Sequence, residues 1–307
     1  VEPPSTFFTD SPQWRWLIVF YFFIGGITGG AYFLAAMIDV LGRPAERALA
    51  RLGYYIALPG VIVCGILLIV DLTRPLRFWH MLLESETWQP MFKWYSPMSV
   101  GSWALLLFGV FAAGSFLAAL AEAGRWRAVA RGRWLSPFRP PGVIGTLWTA
   151  LGGMLGFFLA GYTGVLLMVT NRPVWSDTPL VGLVFLLSGA STAIALLILL
   201  GRRDRWAAPG VVTLTRLDTW VLLMELVAII ALVVTVAPIL PRVWLNGWGV
   251  LFLLGVVVLG ILLPLYLEWR AASSRWSIPA AAVLVLIGGF VLRVVMVLSV
   301  HDIGVTV

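Results

Sequence analysis

The stretch Trp16–Asp39 limits the fold more than any other part of the 307-residue chain. Beyond its opening tryptophan it carries no full charge until Asp39. At 1.5 Å per residue, a helix of that length crosses the roughly 30 Å hydrocarbon layer of a bilayer. Such a segment has no polar face to offer water, so it reads as a transmembrane helix. Gly25 with Gly29, and Gly26 with Gly30, form two overlapping small-xxx-small pairs, which let another backbone approach closely. Two uses of that face stay open: helix–helix contact alone, or a lipid-like ligand lying on bare backbone beside the hydroxyls of Tyr21 and Thr28.

The whole chain follows the same pattern. With 61% hydrophobic and 11% charged residues, and a mean hydropathy of +0.98, a water-soluble fold would expose too much apolar surface. The expectation is an all-α integral membrane protein with eight transmembrane helices, at about 16–39, 52–70, 98–121, 143–169, 179–200, 214–237, 248–268 and 277–300. A division after the fourth span gives two four-helix halves, 1–169 and 170–307. The net charge of +7 is spread over short connections with no aromatic–basic array, which argues for a topology signal and against a nucleic-acid partner. Cys64, the single cysteine, lies in an apolar run, so neither a disulfide scaffold nor a cysteine-held iron–sulfur cluster is expected. His80 and His301, the two histidines, fall at or beyond one interface, which argues against a bis-histidine haem or a metal site between spans.

Arginine sets the orientation. Connections 42–51, 122–142, 201–213 and 269–276 hold thirteen arginines. The alternate set holds six cations, Arg15, Arg74, Arg77, Lys93, Arg172 and Arg242, together with seven carboxylates. The positive-inside rule then places both termini outside. Tryptophans mark the boundaries as an aromatic belt: Trp14, Trp16, Trp79, Trp88, Trp94, Trp103, Trp175, Trp244 and Trp248 on the outer side, Trp126, Trp134, Trp148, Trp206, Trp269 and Trp276 on the inner. In the long outer connection 71–97, Phe78, Trp79, Leu82 and Leu83 recur at helical spacing, predicting a short helix along the surface that ends before Pro90. Arg74, Arg77, His80 and Lys93 of this connection are candidates for docking a partner, with ordinary charge balance as the alternative.

Ionisable residues inside an apolar span are costly unless paired, protonated or wet, which makes them functional candidates. Glu225 falls near the middle of the sixth span, Arg293 in the eighth, Asp218 nearer the inner end and Asp71 at the outer end of the second. They form part of a proton route or, alternatively, hydrogen bonds and ion pairs that hold the bundle.

FYFFIGGITGGAYFLAA in the first span, LTRPLRFWHMLL and SPMSVGSW around the long outer connection, and GYTGVLL in the fourth span resemble, in that order, the NrfD/polysulfide-reductase membrane-subunit family. The resemblance implies a quinone-reactive anchor in a bacterial or archaeal cell membrane, with no haem or iron–sulfur cluster and no standalone activity. It implies menaquinone or ubiquinone as the bound group. It further implies an external four-cluster ferredoxin-like iron–sulfur subunit as partner, bound in turn to a molybdopterin catalytic subunit. The headgroup would lie near the outer surface against the first span and Tyr162, with Tyr21, Gly25, Thr28 and Gly29 in the same region. Depth agrees in part: Tyr162 is about seven residues, roughly 10 Å, below the outer end of its span, and Tyr21 enters from outside to a similar level. A phenol can hydrogen-bond a quinone oxygen, although two tyrosines at that depth also suit an aromatic belt. A different class, a secondary transporter or ion channel, is the alternative, since glycine-rich helices with buried charges also serve translocation.

Overall fold

The computed structural model describes residues 14–124, 138–170, 172–204, 207–270 and 276–300. Trp126, Trp134, Trp206 and His301 lie outside the described residues, as do residues 1–13 and 301–307. Eight helices are long and apolar enough to cross a membrane. They are α1 (Trp16–Leu41), α2 (Arg47–Asp71), α3 (Pro97–Glu122), α4 (Val143–Met168), α5 (Leu180–Gly201), α6 (Ala208–Thr235), α7 (Gly247–Trp269) and α8 (Ser277–Leu298). The protein is therefore an all-α multi-pass membrane protein, and among the described residues the nearest approach to a sheet is the single antiparallel pair Leu83–Pro90.

The first span is the mast of the bundle. It packs against α2, α4, α5 and α8, and 72% of its apolar window is buried, against 28% for the second span and 33% for the third. Its glycines make this possible by serving different neighbours. A Cβ on Gly25 would meet Thr163 of α4 and Cys64 of α2, and one on Gly29 would run into the Gly156 backbone of α4. Gly26 faces Gly189 of α5 and the Arg293 guanidinium of α8, while a Cβ on Gly30 would stand 2.9 Å from that of Ala193. The two small-xxx-small pairs thus bring α4 and α5 onto adjacent sides of one helix. Around this mast, α1–α2, α2–α3, α3–α4 and α4–α1 pack in a cycle; α5 in turn packs against α6 and α8, and α7 against α8.

Local chemistry sets the ends. Ser96 caps α3 by accepting from the Ser99 amide at 3.4 Å, and Pro97 follows at the first helical position, where its missing N–H costs nothing. Helix α2 begins earlier than the hydropathy pattern places it, with Arg47 and Arg51 near its start, where their guanidinium groups reach the Pro140 carbonyl and Glu122. Residues Phe252–Leu262 of α7 are π-helical, and Gly260 lies there against Gly288 of α8, where a Cβ would stand 2.7 Å from the Gly288 Cα.

The long connection differs from expectation in detail. It forms a seven-residue 3₁₀ helix, Pro75–Met81, that ends before Leu82 and Leu83. The threefold repeat puts Phe78 and Met81 on one side, while Leu76 and Arg77 face outward. Trp175, counted from sequence with the interfacial belt, is instead wholly buried. It stacks on Trp14 with centroids 5.6 Å apart and donates its indole N–H to the Met296 carbonyl at 2.6 Å.

Candidate functional site

A cavity of about 400 Å³ opens among α1, α2, α3 and α4 beneath the 3₁₀ helix. Its size is in the range of small-molecule pockets, about 300–1,000 Å³. Tyr21 enters from α1, Tyr162 from α4 and Asp71 from the end of α2, while Phe78 and Met81 form part of the roof. Most of the remaining wall is aliphatic, and Gly65 of α2 and Gly109 of α3 leave open space, since a Cβ on either would meet nothing within 4 Å. The Tyr162 hydroxyl donates to the Pro97 carbonyl at 2.6 Å, and its ring stacks on Phe158 at 5.4 Å. Its single hydrogen is committed there, and the oxygen keeps lone-pair capacity to accept. Gly101 of α3 is the place where that hydroxyl fits, because a Cβ would overlap the phenol.

The remaining first-span candidates sit elsewhere. Gly25 is one helical turn beyond Tyr21, against Cys64 and Thr163; Gly29 is in the α1–α4 contact; Thr28 is buried against Gly60 of α2. None of the three lines the cavity.

A separate polar cluster occupies the other side of α1. Arg293 is fully buried and donates to Ser188 Oγ at 2.6 Å, to the Gly289 carbonyl at 2.8 Å and to the Phe185 carbonyl at 3.4 Å, with its guanidinium 5.2 Å from the Phe185 ring centroid. Glu225 of α6 accepts from Ser191 Oγ at 2.9 Å and also interacts with Ser188, the serine that accepts from Arg293, so Ser188 links the acid to the arginine. Two turns along α6, the Asp218 carboxyl is buried near Glu268 of α7 with neither oxygen hydrogen-bonded among the described residues, while Glu268 accepts from Thr219 Oγ1 at 2.7 Å. Of the four proton-route candidates, Asp218, Glu225 and Arg293 share this side, and Asp71 belongs to the cavity. Ser188 and Ser191 escaped the sequence reading because small hydroxyls barely lower the hydropathy of an apolar helix.

At the end of the bundle far from the 71–97 connection, Arg139 grips Asp39 of α1, with Nη2 2.6 Å from Oδ1 and Nε 3.0 Å from Oδ2. Tyr54 donates to the same carboxylate at 3.0 Å, and Glu122 of α3 completes the ion cluster with Arg139 and Arg51. Burial disfavours the Arg139 charge, but the hydrogen bonds and fields of Asp39 and Glu122 outweigh it and hold its pKa above the ordinary arginine value. This cluster fastens the segment leading into α4 to the ends of α1, α2 and α3.

On the 71–97 face, Arg74, Arg77 and Lys93 are exposed beside Trp88, Trp94 and Tyr95, and the half-buried His80 hydrogen-bonds Ser85 and stacks on Trp79. Among the described residues, no three His, Cys, Asp or Glu side chains cluster as metal ligands.

The fold is that of a multi-pass helical membrane protein with a largely apolar cavity under one face. The protein belongs to the polysulphide reductase, NrfD, family, whose model matches residues 4–302. It is similar to a polysulfide reductase component of Wolinella succinogenes, 29% identical over 276 residues that cover 83% of this sequence and 82% of that protein. Protein NrfD of Escherichia coli is 27% identical over 300 residues, covering 90% of each. A selenate reductase component of Mesobacillus selenatarsenatis is 24% identical over 103 residues, 34% of this sequence and 22% of that one.

Proposed function

We propose that this protein is the quinone-binding membrane anchor of a respiratory oxidoreductase, exchanging electrons between the quinone pool and an external iron–sulfur subunit that serves a molybdopterin catalytic subunit. The observation that carries the reading is the cavity that brings Tyr21, Tyr162 and Asp71 together under the 71–97 connection. Its aliphatic walls suit a ring and the start of a prenyl tail, and the polar side chains among them, chiefly Tyr21, Asp71, Ser102 and Tyr162, are few, as in small-molecule sites generally. A quinone or quinol bound there supplies two-electron, two-proton chemistry. Tyr162, its hydrogen held by Pro97, offers an acceptor oxygen; Tyr21 offers a second phenol; Asp71, exposed at the mouth, holds or releases a proton toward the 71–97 face. Arg74, Arg77, Lys93 and His80, interleaved with exposed aromatic rings, form the surface on which the iron–sulfur subunit docks. The Asp218–Glu225–Arg293 side of the bundle carries protons if the reaction is coupled to their movement.

Gly65 allows a direct test. A Cβ there meets nothing within 4 Å and the position lines the cavity, so a leucine side chain would grow from open space into the cavity. Gly65→Leu is expected to weaken binding of a quinone analogue by about tenfold or more, while Gly65→Ala binds nearly as the parent does. Parental affinity in a folded Gly65→Leu protein would remove the cavity from consideration.

A further inference from the structure

We propose that the arginine-rich end of α5 and the start of α8 form a binding site for an anionic phospholipid. A groove of about 600 Å³ runs between these helices at the face opposite the 71–97 connection. Its walls are aliphatic, with Leu196 and Leu199 from α5 and Val283 from α8, and its rim carries the exposed Arg202, Arg203 and Trp276. Apolar wall followed by cationic rim is the order in which a phospholipid presents acyl tail and phosphate. Guanidinium forks match phosphate oxygens better than a point charge does, and the indole suits the boundary between tail and headgroup. A second groove, about 680 Å³ between α6 and α7, has among the described residues only apolar side chains and Asn246, so it represents ordinary lipid contact. What separates the first groove is its paired arginines. They select a headgroup with net negative charge, such as phosphatidylglycerol, over a zwitterionic one.

Delipidated protein, kept in detergent, is titrated with phosphatidylglycerol, phosphatidylcholine or inorganic phosphate and followed by native mass spectrometry. The parent is expected to hold phosphatidylglycerol at least about tenfold more tightly than phosphatidylcholine, and phosphate should neither bind nor compete. Arg202→Gln/Arg203→Gln should lose that preference, whereas Arg43→Gln/Arg270→Gln, which removes equal charge at the same end outside the groove, should keep it. Arg202→Lys/Arg203→Lys should keep most of it. Three results overturn the proposal: a parent protein that does not discriminate between the two lipids, phosphate competing on equal terms, or a folded Gln variant that retains the preference. The first two need no variant, so a misfolded Gln protein does not leave the matter open.

Discussion

The Tyr162 hydroxyl of α4 donates to the Pro97 carbonyl at the start of α3, at 2.6 Å. One phenol therefore both faces the cavity and ties down the helix that follows the long connection. Tyr162→Phe keeps the stacking on Phe158 but removes the bond to Pro97 and the acceptor oxygen. It is expected to weaken analogue binding by roughly 0.5–2 kcal/mol and to lower quinone-linked turnover, with the iron–sulfur partner still reducible by its soluble donor. Tyr162→Ala should be worse on both counts, since it also opens a cavity next to Phe158. Titration of a quinone analogue against the assembled Phe variant decides the matter, and unchanged affinity and turnover would exclude the hydroxyl.

Eight spans were legible because runs of about twenty apolar residues admit few other folds, and the glycines of the first span marked it as a packing helix. What those glycines face was not legible. Gly25 and Gly26 are adjacent in sequence, about 100° apart around the helix, yet one meets Cys64 and Thr163 while the other makes room for Arg293. Tyr21, Tyr162 and Asp71 could be named singly from sequence, but their shared cavity depends on how α1–α4 close around it. Arg139 counted in sequence only toward the charge bias, and its clamp on Asp39 gave no signal: it stands in a proline-rich connection, and its partner is 100 residues earlier. The short surface helix expected in the long connection is present, but as a 3₁₀ helix with Pro75 at its first position, which the spacing of Phe78, Trp79, Leu82 and Leu83 did not distinguish.

Orientation rests on the arginine bias. Single cysteines placed at Asp177 and at Ala45, in a Cys64→Ser background, should be labelled by an impermeant thiol reagent from opposite sides of intact cells, with Asp177 reached from outside. The reverse pattern would invert the topology and move the 71–97 face to the cytoplasm.

The clamp at the other face has a stability signature. In the Arg139–Asp39 pair the side chains are only 5% and 0% exposed, so removing one partner strands a buried charge. Arg139→Gln is expected to lower stability by about 3–5 kcal/mol, and Arg139→Lys to restore only part of it because an ammonium cannot bridge both carboxylate oxygens. Asp39→Asn in the Arg139→Gln background should recover much of the loss. Thermal unfolding in detergent, read as a double-mutant cycle, measures the coupling, and additive losses would show that the pair does not act as a unit.

Glu225 separates a structural role from a proton-carrying one. Its carboxylate accepts from Ser191 at 2.9 Å and is joined through Ser188 to Arg293, whose guanidinium is shielded from solvent by the bundle. In Glu225→Gln the amide oxygen can still accept from Ser191, so folding and assembly should survive with a loss of about 1 kcal/mol, the difference between a charged and a neutral hydrogen bond. Glu225→Leu removes the acceptor as well as the charge, leaves Arg293 buried with Ser188, and should reduce the yield of folded protein sharply. The Gln variant cannot bind and release a proton. If protons cross through this side of the bundle, its quinone-linked turnover in proteoliposomes should fall along with the protons moved per electron pair. Cavity affinity for an analogue should stay at the parental level, because Tyr21, Tyr162 and Asp71 lie across α1 from the substitution. Full turnover with an unchanged proton ratio would leave Glu225 as a strut between α5 and α6.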